Sequence, residues 1–124
     1  GMTELLRPSI YGAQHPISLL QAFGKSESKD YVVVGHCCES GDLLTPAPDE
    51  PETISERRMG EVNIGDYVVI EGSGAYCAGM SSKNYNSFPE APEVMRLADG
   101  AGFAVIRRKQ TLEQILANEV DFTA

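Results

Sequence analysis

Tyr31-Val32-Val33-Val34-Gly35-His36-Cys37-Cys38-Glu39-Ser40-Gly41-Asp42 carries both the architecture and the chemistry of this chain. Tyr31 to Val34 is β-branched and almost wholly apolar, which predicts a buried strand. Ser40-Gly41-Asp42 is a turn signal. Between them lie an imidazole, two thiols and a carboxylate, more reactive chemistry than a turn needs. The surrounding sequence reads as a scaffold that holds this loop and two other polar stretches at one surface.

A second apolar run, Tyr67-Val68-Val69-Ile70, predicts another buried strand. It follows the turn Asn63-Ile64-Gly65-Asp66 and ends at Gly72-Ser73-Gly74, which delivers Ala75-Tyr76-Cys77. Ile17 to Phe23 partly alternates and stops at Gly24, so it reads as a strand, with a short helix as the alternative. Residues 3–16, punctuated by Pro8, Gly12 and Pro16, read as an ordered loop. Pro46, Pro48 and Pro51 interleave with Asp49, Glu50 and Glu52, and this composition predicts an exposed acidic loop with no packed element. Thr53 to Met59 reads as an edge strand blunted by Arg57 and Arg58.

Glu93 to Ala98 alternates, Asp99-Gly100 is a hairpin signal, and Phe103 to Arg107 runs back. Thr111 with Gln114 forms a capping box for a short helix, whose Leu112, Ile115 and Leu116 share one face. The whole is mainly β: about six short strands and a short C-terminal helix, in a small β-barrel or β-sandwich.

The 124 residues suit one domain, 1–124. Gly1 ahead of Met2 reads as a residue left by a protease at a purification tag. A formal net charge of −8 argues against nucleic acid or an anionic membrane as partner. No apolar stretch approaches the ~20 residues of a membrane span, and no signal peptide is visible. Three cysteines, two of them adjacent, do not make a disulfide framework, so a reducing cytoplasm is expected.

Cys38 is followed at once by Glu39. A neighbouring carboxylate favours the neutral thiol, and a protonated thiol near a reacting carbon is a candidate proton donor. On a regular strand the two side chains face opposite ways, so both reach one site only if the strand ends near Gly35 and the loop turns. The plainer reading is a packed Cys37 and a solvated Glu39. His36, Cys37 and Cys38, with His15 and Cys77, could also be weighed as zinc ligands, but adjacent cysteines do not match the usual spacing of two to four residues. Arg7 and Tyr11 could both reach a carboxylate or phosphate if their segment curves. A surface arginine and a half-buried tyrosine is the alternative.

Three stretches together resemble the C-terminal domain of diaminopimelate decarboxylase, within the fold-type III pyridoxal-phosphate decarboxylases. They are Arg7-Pro8-Ser9-Ile10-Tyr11-Gly12-Ala13, Cys38-Glu39-Ser40-Gly41-Asp42, and Gly74-Ala75-Tyr76 followed by Met80-Ser81-Ser82 and Tyr85-Asn86. They occur in the family's order. Cys-Glu-Ser-Gly-Asp differs from the Cys-Asp of the ornithine and arginine decarboxylase cousins.

The resemblance implies decarboxylation of meso-diaminopimelate to lysine, a step of lysine biosynthesis, with pyridoxal phosphate. Cys38 would be the catalytic proton donor. Arg7, Tyr11 and Glu39 would bind substrate, and Tyr76 would touch substrate and cofactor. It also implies a homo-oligomer, with the site at a dimer interface. The departure is equally plain. The family's Schiff-base lysine lies on an N-terminal barrel of about 250 residues, for which this chain has no room. Lys25, Lys29, Lys83 and Lys109 sit in polar or charged contexts, without the apolar pocket that activates an amine. The chain is therefore expected to be inactive alone, to hold no covalent cofactor, and to partner the barrel of the same enzyme. The alternative is a stand-alone small-molecule or partner-binding β-domain that has lost catalysis.

Overall fold

The structure is a computed structural model and describes residues 1–20 and 27–122. Contacts divide it into two compact units, 1–82 and 83–124, each taken by itself.

Unit one opens with a short helix, α1 (Arg7–Tyr11), where an ordered loop was expected. Pro8 occupies its first turn, where a missing N–H costs nothing. Gly12 ends it in the left-handed region, φ 61°, and donates its N–H to Pro8 O at 3.0 Å. Two residues that read as breakers are thus the start and stop of a helix.

Five strands of this unit are β1 (Ile17–Leu20), β2 (Ser28–Tyr31), β3 (Pro46–Ala47), β4 (Glu50–Ile54) and β5 (Arg57–Gly60). The sixth is β6 (Tyr67–Ile70). They pair antiparallel as β1 with β6, β2 with β5 and β3 with β4. Ile17 lies opposite Ile70, and Leu20 opposite Tyr67. Across β2 and β5, Asp30 faces Arg58, whose guanidinium reaches the carboxylate at 2.9 Å. The stretch expected as a strand from Ile17 to Phe23 begins as β1, and its last residues lie outside the described ones.

Three expectations are corrected. Only Tyr31 of the Tyr31–Val34 run is in a strand, and Val32 and Val34 are exposed. Tyr67–Ile70 is a strand, but Tyr67 is 73% exposed rather than buried. Apolar runs of this kind mark surfaces that need covering without saying what covers them.

The third correction concerns 45–52. Thr45 and Pro46 are fully buried, and the segment is a hairpin rather than an exposed loop. Its tip is Pro48-Asp49, with Asp49 at φ 61°, the pattern of a type II turn. Thr45 is a buried polar residue because both its groups are used. Its hydroxyl accepts the Val33 N–H at 3.0 Å and its carbonyl accepts the Ser55 N–H at 3.0 Å. The same hairpin splits the expected Thr53–Met59 strand at Ser55-Glu56. Arg57 turns inward there to donate to the Pro46 carbonyl at 3.1 Å. The added hairpin and this split raise the strand count above the expected six.

The core of unit one is small: Leu5, Leu44 and Cys77, with Val33 and Ile70 packed on it. It ties the start of the chain, the segment after the thiol loop and the residue after Tyr76 into one cluster.

Unit two holds the expected hairpin, β7 (Glu93–Arg96) with β8 (Phe103–Arg107). Asp99 and Gly100 both have positive φ in its turn. Short helix α2 (Leu112–Ile115) has the expected capping box between Thr111 and Gln114. The protein is therefore mainly β, built among the described residues from four antiparallel pairs, none closed into a barrel.

Gly12→Ala should test the α1 stop. A Cβ there meets the Glu50 nitrogen at 2.6 Å and the Asp49 nitrogen at 2.8 Å, on a left-handed backbone. The expected loss is about 1–3 kcal/mol in urea unfolding, with little change in denaturant slope.

Candidate functional site

Helical spacing puts Arg7 and Tyr11 on one face of α1. The Arg7 guanidinium carbon lies 5.6 Å from the Tyr11 ring centroid, a cation–π contact. Arg7 forms no ion pair among the described residues, so its charge remains available to an anion.

Tyr76 arrives beside this pair from Gly72-Ser73-Gly74. It adopts φ 59° and is 68% exposed. A bulky residue in the left-handed region is strained, and persists only where its surroundings over-determine it. Cys77 provides that constraint. Its side chain is buried in the core, its Sγ donates to Ala75 O at 3.4 Å, and its carbonyl accepts the Met80 N–H at 3.1 Å. With the next residue anchored inside, Tyr76 is driven outward. Arg7, Tyr11, Tyr76 and Met80 line one open depression of about 450 Å³.

An adjoining face of α1, at Leu6, Ser9 and Ile10, borders a second depression of about 420 Å³ whose lining also includes Glu39 and Glu52. So the residues singled out in the sequence fall around one short helix. Arg7, Tyr11 and Tyr76 lie on one side and Glu39 on the other. Cys38 is exposed and lines neither depression.

The thiol loop meets the geometric condition set by the sequence. Val34 bridges to Leu43, and the Gly35 N–H donates to Asp42 O at 2.8 Å, so the extended segment ends there. The turn closes when the Asp42 N–H donates to Glu39 O at 3.0 Å. Glu39 Oε1 accepts the Gly41 N–H at 3.0 Å, which holds that carboxylate at the loop tip.

Sequence reasoning missed Asp42. Its buried carboxylate accepts the Met2 N–H at 2.7 Å and the Cys37 N–H at 2.9 Å. It had been read as a turn residue, which aspartate most often is. The available signal was Gly35, since only a residue without a side chain leaves space for that carboxylate.

Cys37 is half-buried, and burial pushes its thiol up, reinforced by a hydrogen bond to Asp42 and by the charge of that carboxylate. It is a packed neutral thiol, as the plainer reading had it. His36 Nε2 lies 3.0 Å from Thr3 Oγ1, and His15 Nδ1 lies 3.0 Å from Glu71 O. Among the described residues no three His, Cys, Asp or Glu side chains cluster as a metal site.

The lysines do not fit an anchor for pyridoxal phosphate. Lys29 is raised by its hydrogen bond to Glu61 and by that charge, opposite to what a nucleophilic amine needs. Lys83 pairs with Glu90 at 3.0 Å, and Lys109 is exposed. Lys25 lies outside the described residues. No helix among them is long and apolar enough to cross a membrane.

Comparison with known proteins identifies a family. Residues 1–74 match the family described as pyridoxal-dependent decarboxylase, C-terminal sheet domain. Diaminopimelate decarboxylase of Escherichia coli K12 is 45% identical, over 97% of this chain and 28% of its own length. The enzyme of the same name from Streptomyces coelicolor is 42% identical, over 98% of this chain and 27% of its own. A crystal structure of a diaminopimelate decarboxylase superposes with TM-score 0.82 at 43% identity, covering 94% of this chain and 28% of that one. The Helicobacter pylori enzyme complexed with L-lysine superposes with TM-score 0.75 at 36% identity, covering 94% and 26%. The chain thus spans about 28% of the length of the curated relatives it matches.

The Cys37 thiol has a pH consequence. Its proton is held more tightly folded than unfolded, so the stabilisation is present below the unfolded thiol's pKa. It is lost as pH rises through the higher folded value. Urea unfolding from about pH 7 to pH 10 should show stability falling, and Cys37→Ser should flatten that slope.

Proposed function

Because this chain belongs to the family of pyridoxal-dependent decarboxylase C-terminal sheet domains, we propose that it is the substrate-binding, proton-donating half-site of a diaminopimelate decarboxylase. In this reading residues 1–124 act as one such domain. They become active only with the cofactor-bearing barrel of the same enzyme, in a homo-oligomer. The cofactor, held by that barrel, supplies the electron sink. The substrate is meso-diaminopimelate, the product is lysine, and the step belongs to lysine biosynthesis in the cytoplasm. Three cysteines without a disulfide support a reducing compartment.

The observation that carries the reading is the convergence of Arg7, Tyr11 and Tyr76 on one depression, beside the family match. Arg7 is assigned the distal carboxylate, because its guanidinium can grip two oxygens and has no competing ion pair among the described residues. Tyr11 orients Arg7 from below and offers its phenol to the same group. Tyr76 contacts both substrate and cofactor. Glu39 takes the distal ammonium, since an ionised carboxylate only accepts, and because its loop lies away from the Arg7 depression of its own chain it serves, with Cys38, the site completed by the second copy in the homo-oligomer. Cys38 Sγ gives its proton to the reacting carbon.

The unpaired faces support completion by further chain. Leu20, Tyr67, Val68 and Val69 are exposed around β1 and β6. We take the small barrel or sandwich to be finished when these surfaces are covered by the rest of the enzyme or its second copy. A stand-alone binding domain is the second reading.

Three outcomes are expected. In the complete enzyme, Cys38→Ala should lower kcat by about 10²–10⁴-fold with KM changed far less, whereas Arg7→Ala should chiefly raise KM. Equal loss in kcat and KM for Cys38→Ala would reject the proton-donor role. Mixing this chain with a separately made barrel half should release carbon dioxide from diaminopimelate in the presence of cofactor. No release, with binding of the amino acid retained, would favour the stand-alone domain. The chain alone should also self-associate, and light scattering at high concentration should give a mass above 13.4 kDa.

A further inference from the structure

We propose that Asp42 is a positioning residue that locks the thiol loop and the entry to α1 into a single register. Asp42 is 3% exposed, and its carboxylate divides its two oxygens between two segments. Oδ1 accepts the Met2 N–H at 2.7 Å, and Oδ2 accepts the Cys37 N–H at 2.9 Å. Five residues after Met2 the chain becomes α1 with Arg7 and Tyr11, and directly after Cys37 come Cys38 and Glu39. One side chain therefore joins the two elements that carry four of the residues assigned to substrate and proton.

The chemistry leaves little choice of residue. An ionised carboxylate accepts on both oxygens. The amide of the same shape has one acceptor and turns an N–H donor toward the second backbone N–H. The back of the carboxylate is closed by Gly35, where a Cβ would stand 1.9 Å from Oδ2 and 2.1 Å from Oδ1. Main-chain bonds from Gly35 N–H to Asp42 O and from Asp42 N–H to Glu39 O hold the same residue at its other end. Thr3 adds a parallel tie, with its hydroxyl 3.0 Å from His36 Nε2. Asp42 lines neither depression, so it acts through the backbone it holds.

The effect on turnover rests on the decarboxylase reading, whereas the loop geometry does not. The experiment therefore reads both. Asp42→Asn and Gly35→Ala are made in this chain and in the complete enzyme. In the chain, amide exchange at Cys37 should quicken by about tenfold or more, and iodoacetamide labelling of Cys38, resolved by tandem mass spectrometry, should change by about threefold or more. Exchange in Tyr67–Ile70, paired with β1 in the same unit, should stay unchanged, which separates local release from unfolding of unit one.

Gly35→Ala keeps the charge and displaces it, so the same signature in both variants identifies geometry as the cause. In the complete enzyme Asp42→Asn should lower kcat and raise KM together, unlike Cys38→Ala. Unchanged exchange and labelling in both variants would overturn the proposal. If neither variant folds, the wild-type protein decides. A shared clamp requires the Met2 and Cys37 amides to open together, with protection equal within about threefold, and a tenfold or greater difference would refute it. A wild-type complete enzyme that releases no carbon dioxide would remove the decarboxylase reading and leave the clamp to be judged on exchange and labelling.

Discussion

Asp42 receives a backbone N–H from Met2 and another from Cys37, and both bonds are made in a site from which the carboxylate is almost entirely withdrawn from solvent. A buried carboxylate is costly unless hydrogen bonds compensate it. Here the compensation comes from two segments that local preference would never bring together. The residues that follow, Leu43 to Pro46, are buried one after another. The most interior part of unit one is thus the return arm of the thiol loop rather than either apolar run. Thr45 extends the same logic, spending its hydroxyl on Val33 and its carbonyl on Ser55.

From that frame the candidate site is built by anchoring one residue and exposing its neighbour. Cys77 goes into the core and Tyr76 is pushed out at a strained backbone angle. Cys37 is held against Asp42 and Cys38 is left exposed. Leu5 packs inside, and α1 begins two residues later with Arg7. The core of unit one is small because it does little beyond fixing these three presentations. Leu43 and Met59 are also buried, but Leu20, Val34 and Tyr67 are turned outward. Apolar surface of that kind marks a face that calls for a covering partner, and the chain spans about 28% of the length of the relatives it matches.

Much of the site was legible in the residues because its chemistry is local. A guanidinium and a phenol at helical spacing, a thiol beside a carboxylate, and a tyrosine after a glycine-rich turn can each be seen without coordinates. What could not be seen was which side of α1 each would occupy. Arg7, Tyr11 and Tyr76 share one depression, while Glu39 lines the other. The thiol loop was correctly expected to turn after Gly35, because Ser40-Gly41-Asp42 signals a reversal. The role of Asp42 escaped, because it is read from the backbone donors of Met2 and Cys37, and backbone donors leave no mark in a sequence.

The amino-acid sequence by itself determined the period-two runs, the Asp99-Gly100 hairpin, the Thr111–Gln114 capping box and the order of the three motifs. Each of these depends on contacts between residues a few positions apart. Only the tertiary structure decided what is buried. It turned the acidic, proline-rich 45–52 segment into a packed hairpin, exposed Val32 and Val34, and made Pro8 and Gly12 the ends of a helix. Burial depends on which distant groups satisfy a backbone donor or cover an apolar face, and no local pattern carries that information.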